Sequence, residues 1–480
     1  MPSKKPAAKS AKKSSPKPVK KTEKKKEPVR EAPAQASQGS DDASRQVKQG
    51  KIPSLLRGMK DILPKEETYW KTCYRTAEEI ATAYEYGMIQ TPVVEEASLF
   101  VRSIGRGTDV VEKEMYVFED RDGTKVALRP ESTASVARAY IAHGMHSLTQ
   151  PVKVWYYGPM FRHDRPQAGR YRQFHQFGCE ALGERAPVID AELIVVAYHF
   201  LKDLGIQTQV HINSIGKPEE RERYIVELSG YLRSKRSYLP EEIKQRLHKN
   251  PLRVLDSKLE EMKPIIEEAP QIIDWLGEES KKYFMGVLEY LDEMEIPYTL
   301  TPTLVRGLDY YTDTVFEFFE DGGEDGSQSA LGGGGRYDLL VEQLGGRPTP
   351  AAGFAIGLDR VISCLRRKAE QQQGEGVVPQ EKVGKIFFAQ LGDQARRRAL
   401  KLIETLRKDK IFVHHMLGKS SLKAQLEMAN KLMVTHTVIL GQKEVQDGTI
   451  IVRDMESGIQ EIIDQKKLTN RLEKILRPAS

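Results

Sequence analysis

Apolar residues begin to recur at regular spacings only near Ile52. Between Glu66 and Tyr86, the residues Trp70, Cys73, Ala77, Ile80, Ala81 and Tyr84 fall three or four positions apart. That spacing predicts an amphipathic helix, which Gly87 can end. Extended runs follow. Met88–Glu96 (MIQTPVVEE) reads as one strand, and Tyr116–Glu131 as two strands joined by a turn at Asp122 and Gly123. VKVWYYGPMFR and YRQFHQFGCE then flank the polar loop HDRPQAGR, which predicts a hairpin with a long loop. From Pro218 to about Ile296 the pattern is helical and densely charged, an insertion between two strand-rich blocks. Strand character returns with TVFEFF, followed by a loop rich in Gly and acid, and then by the helix-forming stretches RYDLLVEQL and GFAIGLDRVISCL. In the second of these Leu358, Val361, Ile362 and Leu365 form a buried stripe, so Arg360 points away from it near the helix start. Arg366–Gln380 is polar and reads as a linker. Beyond it, strands (KIFFAQL, FVHHM, THTVIL, TIIVRDM) alternate with helices (QARRRALKLIETLRKD, SSLKAQLEMANKL), which predicts a small α/β domain.

A chain of 480 residues has room for two to four domains. With 39% hydrophobic and 30% charged residues it is neither collagen-like nor wholly disordered. No run approaches the ~18 consecutive apolar residues of a membrane span, and the N-terminus lacks the apolar core of a secretory signal, so the chain is expected to act in the cytoplasm. Cys73, Cys179 and Cys364 lie far apart without Cys-x-x-Cys spacing and read as buried reduced thiols. Charge is unevenly placed. Residues 1–50 carry 14 Lys+Arg and 5 Asp+Glu, a balance of +9, which leaves 60 basic and 63 acidic residues, −3, on the other 430. This Lys-, Pro- and Ala-rich segment cannot bury enough surface to offset its backbone entropy and is expected to be disordered. It reads equally as a solvated tail or as a polycation that concentrates RNA by counterion release.

The candidate chemistry sits in three places. Alternation along a strand puts Arg172, Phe174, Gln176, Gly178 and Glu180 on one face of the hairpin. Space over Gly178 would then hold a small polar ligand between an amide and a carboxylate. Arg162, at the end of the preceding strand, can offer its planar fork to phosphate oxygens in the same cleft. The same pattern also suits a half-exposed sheet face with surface ion pairs. VRGLDYYTDTVFE gathers Arg306, Asp309, Tyr310 and Tyr311 just before an apolar strand. The run Gly332–Gly335 lacks a following Gly-Lys-Ser or Gly-Lys-Thr and reads as a close backbone approach rather than a phosphate cradle. No HExxH or comparable spacing points to a metal held by protein side chains, and no Gly-x-Ser-x-Gly elbow points to a serine hydrolase.

Taken together, RGMKDILP, LRPEST, YYGPMFRHDRPQAGRYRQFHQFGCE, LVRGLDYYTDTVFE, GGGGRYDLLVEQLGG and AAGFAIGLDR resemble the histidyl-tRNA synthetases of bacterial type, from about Ile52 to the C-terminus. The resemblance implies an α+β fold: a class II synthetase core built on an antiparallel sheet, with a helical insertion and a C-terminal α/β anticodon-binding domain. It divides the chain into a tail (1–50), a first core part with motifs 1 and 2 (51–216), the insertion (217–297), a second core part with the histidine signature blocks and motif 3 (298–370), a linker (371–381) and the anticodon-binding domain (382–480). It implies ATP with Mg²⁺, L-histidine and tRNA(His) as ligands, and a homodimer formed partly through motif 1 around Pro92. Matching residue by residue, Arg162 and Arg306 would hold the α-phosphate, and Arg360 would pack on adenine near the γ-phosphate, with Arg170 also on the ATP side. Glu131, Thr133 and Gln176 would lie about the α-amino group, with Ser132, where glycine is usual in the family, also on the histidine side. Glu180 and Tyr311 would hydrogen-bond the imidazole, with Tyr310 lining the pocket. Gln167 and Arg170 would reach the acceptor end of the tRNA. Non-catalytic paralogues, such as the regulatory subunit of ATP phosphoribosyltransferase, typically lack the anticodon-binding domain and erode the signature blocks; both features are present here.

Overall fold

The computed structural model describes residues 53–166, 169–257, 259–321, 330–371 and 386–476. The Lys-rich tail and Gln167 lie outside the described residues. In chain order the strands are β1 (Gly87–Met88), β2 (Val94–Glu96), β3 (Val117–Glu119), β4 (Lys125–Leu128), β5 (Val152–Phe161), β6 (Gln173–Leu182), β7 (Thr208–Ser214), β8 (Tyr298–Leu300), β9 (Thr312–Glu320), β10 (Gly332–Arg336), β11 (Ala351–Gly357), β12 (Ile386–Gln390), β13 (Val413–His415), β14 (His436–Leu440), β15 (Thr449–Asp454) and β16 (Gln460–Asp464). Eight of them form one sheet in the order β1-β5-β6-β11-β10-β9-β7-β8. Its six central strands pair antiparallel, and the short edge strands β1 and β8 pair parallel with their neighbours.

Alternation along these strands decides which face does chemistry. Trp155, Phe177, Cys179, Phe316, Phe318, Phe354 and Ile356 project to one side, where they pack with apolar residues of the helices Glu67–Ala83, Pro187–Asp203, Glu278–Glu293 and Leu358–Gln371. The opposite side carries Val154, Tyr156, Tyr311, Val315 and Ala351, packed with the helices Thr133–Ala142 and Pro218–Ser234 and the short helices after them. Polar groups between these residues therefore open onto one cleft.

The β5–β6 hairpin forms as expected, in register from Val152↔Leu182 to Phe161↔Gln173. The helix expected over Glu66–Tyr86 spans Glu67–Ala83, and the turn at Asp122 and Gly123 joins β3 to β4. MIQTPVVEE, by contrast, is two strands in different sheets: β1 pairs with β5, and β2 with β4. Pro92 between them has no N–H to continue a ladder, and Arg129 captures the Thr91 carbonyl at 2.9 Å, which turns the chain out of the first sheet. The helix expected over RYDLLVEQL is confined to Leu340–Gln343, and AAGFAIG is the strand β11 ahead of its helix. That helix runs to Gln371, into the stretch read as linker.

The four glycines form β10, the strand between β9 and β11. A Cβ at Gly334 would lie 2.0 Å from the Gly353 carbonyl oxygen, and one at Gly333 2.4 Å from that of Phe316. Main chain thus packs on main chain where any side chain would wedge the sheet apart. The C-terminal five-stranded sheet, β13-β12-β14-β15-β16, has Phe388 packed with the helix Asp393–Lys408 on one face and Phe387 with Leu422–Lys431 on the other. All three cysteines are free and buried. No described helix is long and apolar enough to cross a membrane.

Candidate functional site

The functional face of the large sheet holds a cavity of about 240 Å³. Nine of the residues singled out in the sequence line it: Glu131, Thr133, Arg162, Arg170, Gln176, Arg306, Tyr310, Tyr311 and Arg360. They come from five segments, brought together by the order β5-β6-β11-β10-β9.

Arg162 follows β5 directly. Its Nε donates to the Pro130 carbonyl at 2.9 Å, and its guanidinium carbon stands 5.6 Å from the centre of the Phe174 ring. Arg306 donates to Glu317 and lies over Tyr311 at 5.7 Å, with its own Nε buried and without an acceptor. Burial alone would weaken the proton affinity of Arg306, but Glu317 and the Tyr311 hydroxyl more than offset this, so the guanidinium stays charged. Arg360 occupies the first turn of its helix and donates to the Ala330 carbonyl. Its pKa is lowered, first by burial and then by the neighbouring cation of Arg170, with Arg162 adding to the effect. The Arg360 guanidinium therefore feels the cations of Arg170 and Arg162 across the cavity, a repulsion that an anionic ligand relieves.

The other end is built for a smaller polar ligand. Glu131 caps the helix Thr133–Ala142, accepting from the Thr133 N–H at 2.7 Å and the Ala134 N–H at 3.0 Å. Burial raises its pKa against those two bonds. Gln176 presents a buried Oε1 without a hydrogen-bond partner. The rings of Tyr310 and Tyr311 lie 4.7 Å apart, and Tyr337 stands 5.6 Å from Tyr310.

Two expected contacts are placed elsewhere. The space over Gly178 is filled, since a Cβ there would lie 2.4 Å from the Tyr156 ring. Glu180 is not on the wall. It is fully buried one layer beneath, where it accepts from the Thr133 hydroxyl at 2.7 Å, from Tyr156 at 3.3 Å and from Tyr337. A Cβ at Gly353 would collide with its Oε2, so a glycine on the cavity floor makes room for this carboxylate. Ser132 also lies off the wall, its hydroxyl 3.9 Å from Met160 Sδ. Sequence reasoning missed Glu317 and Tyr337, both of which line the cavity. A charged residue between two phenylalanines of a buried strand was the available signal for Glu317.

Burial pushes the Glu180 carboxyl up to about 8 from an ordinary 4.5, against the hydrogen bonds from Tyr337 and Thr133. Between those values the folded chain holds a proton that the unfolded chain releases, so stability falls as pH rises. Urea denaturation of the free protein at several pH values from 5 to 8 is expected to show this decline, and Glu180→Gln to flatten it.

The carboxylates on the wall are all engaged. Asp164 pairs with Arg170 at 2.9 Å, Asp359 accepts from the His175 N–H at 2.8 Å, and Glu317 and Glu131 are held as described. Among the described residues, no group of three or more His, Cys, Asp or Glu side chains could hold a metal ion. Among the described residues, the wall therefore offers no set of uncommitted carboxylates to cage a magnesium ion.

A family model described as histidyl-tRNA synthetase matches residues 58–219 and 222–361, and one described as anticodon binding domain matches residues 378–475. The histidine–tRNA ligase of Dehalococcoides mccartyi is 44% identical over 420 residues, covering 87% of this chain and 98% of the relative. That of Halothermothrix orenii is 43% identical, covering 88% and 99%. The crystal structure of apo S. aureus histidyl-tRNA synthetase superposes with a TM-score of 0.71 at 35% identity, over 88% of this chain and all of that one. With both the core and the C-terminal domain matched, the chain belongs to the histidyl-tRNA synthetase family, the class II histidine–tRNA ligases.

Proposed function

We propose that this cavity is where the ligase joins L-histidine to ATP and then charges tRNA(His). In the first step a histidine carboxylate oxygen attacks the α-phosphorus, the bond to the β-phosphate breaks, and pyrophosphate leaves. In the second, the terminal ribose hydroxyl of the tRNA attacks the acyl carbon, loses its proton, and AMP leaves. The first step brings two anions together, so fixed cations are the needed catalyst. The observation that carries this reading is the convergence of Arg162, Arg170, Arg306 and Arg360 on one cavity that also holds Glu131, Thr133, Gln176 and Tyr311.

In this reading Arg162 and Arg306 hold the α-phosphate with the histidine carboxylate, and Arg360 and Arg170 hold the outer phosphates and the base. Glu131, Thr133 and Gln176 take the α-amino group, and Tyr310 and Tyr311 the imidazole. Glu180 acts from below through Thr133 and Tyr337 rather than from the wall, and Ser132 shapes the helix start. Magnesium would enter on the phosphates of ATP with most of its water, as it commonly does. Gln167 and Arg170 would meet the acceptor end of the tRNA, and residues 382–480 its anticodon. We further propose a cytoplasmic homodimer. The support is exposed Met88 and Val94 in the segment that resembles motif 1, and Phe118 in the sheet that β2 shares.

ATP–pyrophosphate exchange measured with each of the twenty amino acids tests the assignment. A site that hydrogen-bonds an imidazole leaves buried polar groups unsatisfied when an apolar side chain enters, so histidine is expected to exceed such residues by about 10⁴-fold or more in kcat/KM. Equal exchange with a second amino acid would overturn it.

A further inference from the structure

The motif RGMKDILP has no part in the site described above, yet the structure places its first residues against the loop that carries Arg162 and Arg170. The Arg172 N–H donates to the Gly58 carbonyl at 2.7 Å, and the Arg172 carbonyl accepts from the Arg162 N–H at 2.9 Å. One residue therefore joins the segment to the backbone of Arg162. The Arg172 side chain adds a clip: Nε donates to the Asp164 carbonyl and a terminal nitrogen to the Arg57 carbonyl, both at 3.2 Å. Asp164 in turn holds Arg170 at 2.9 Å. Gly58 has a φ of +84°, and a Cβ there would lie 2.8 Å from Arg172 Cγ and 3.0 Å from Pro166 Cγ. Only glycine meets both demands, the left-handed backbone and the close approach to the two limbs of the loop. Two residues on, Lys60 Nζ stands 5.3 Å from the centre of the Tyr171 ring and 3.5 Å from Glu66 Oε1, which fixes the far end of the segment to the body.

We infer that Arg57–Lys60 is a positioning strap for the arginine-bearing loop between β5 and β6, acting on the ATP side of the reaction through Arg172. Arg162 and Arg170 leave a hairpin whose outer part has few ladder partners of its own, and they must be held within a fraction of an ångström to stabilise charge at a phosphorus. The strap supplies that restraint from outside the hairpin. Its effect falls on the phosphate end because Glu131, Tyr310 and Tyr311 belong to other segments, and Gln176 lies inside the β5–β6 ladder, opposite Gly158.

The inference rests on the proposed function, and the experiment separates the two. Histidine-dependent ATP–pyrophosphate exchange is measured on the full chain and on Gly58→Ala, Arg172→Ala and the double variant. If the unaltered chain shows no exchange, the functional reading fails before the strap is reached. Given exchange, each single variant is expected to raise KM for ATP or lower kcat about tenfold, with KM for histidine, which meets the loop only at Arg162, changed less than KM for ATP. The double variant is expected to be no worse than the more impaired single, since both remove one clip. Unchanged ATP parameters in both single variants would overturn the strap. So would KM for histidine rising as far as KM for ATP, or losses that multiply in the double variant, because a general loosening of the fold moves both substrates alike.

Discussion

Arg306→Ala is expected to lower kcat for histidine-dependent ATP–pyrophosphate exchange by about 10³-fold or more while the chain still folds. The magnitude is that of removing a preorganised charge from the place where negative charge develops in the transition state. The stability effect is separate and smaller. Arg306 is the charged partner of Glu317, which is nearly buried at 8% exposure, so its loss strips a counter-charge from the interior of β9. Arg306→Ala combined with Glu317→Gln should recover melting temperature without recovering exchange. That pattern distinguishes a catalytic guanidinium from a structural ion pair. Wild-type exchange in Arg306→Ala would refute the role given to it.

The largest loss of stability is expected for Arg336→Ala. Arg336 and Asp190 are fully buried, with Arg336 donating to Asp190 at 2.6 Å and to Asp338 at 2.9 Å. Tyr283 donates to the same Asp190 at 2.6 Å, and Arg185 ties Asp338 to Asp313. Removing one member of a buried pair leaves an uncompensated charge in a dry environment, at about 3–5 kcal/mol. Chemical denaturation should show a loss of unfolding free energy of that size. Arg336→Met with Asp190→Leu should recover much of it, because the charges then leave together. Tyr337, next in sequence, hydrogen-bonds Glu180 beneath the cavity, so the single variant is also expected to weaken histidine binding.

Part of the cavity wall was legible from residue types and their places along strands, whereas Glu131, Thr133 and Arg170 came only through the family resemblance. An arginine at the end of a buried hairpin strand and a Tyr-Tyr pair before an apolar run both led to the cavity wall. What the sequence could not convey was depth. Gln176 and Glu180 alternate onto one face, yet only Gln176 reaches the cavity, because Tyr156 from the neighbouring strand fills the space over Gly178 and Glu180 is tied to Thr133 and Tyr337, which line the wall in its place. Cross-strand neighbours decide this, and they are set by register. The splitting of MIQTPVVEE has a similar origin: the Arg129 side chain, from a distant segment, takes the carbonyl that would have continued the strand. The glycine run was read correctly as close main-chain approach, but periodicity has nothing to say about a strand without side chains.

That bare strand bears on how the site can change under drug pressure. An inhibitor resting on Gly332 and Gly333 would touch peptide groups that no point mutation alters, while any substitution there would drive an atom into β9 or β11. Resistance would have to arise among the surrounding side chains, which include the arginines and tyrosines proposed to carry the reaction.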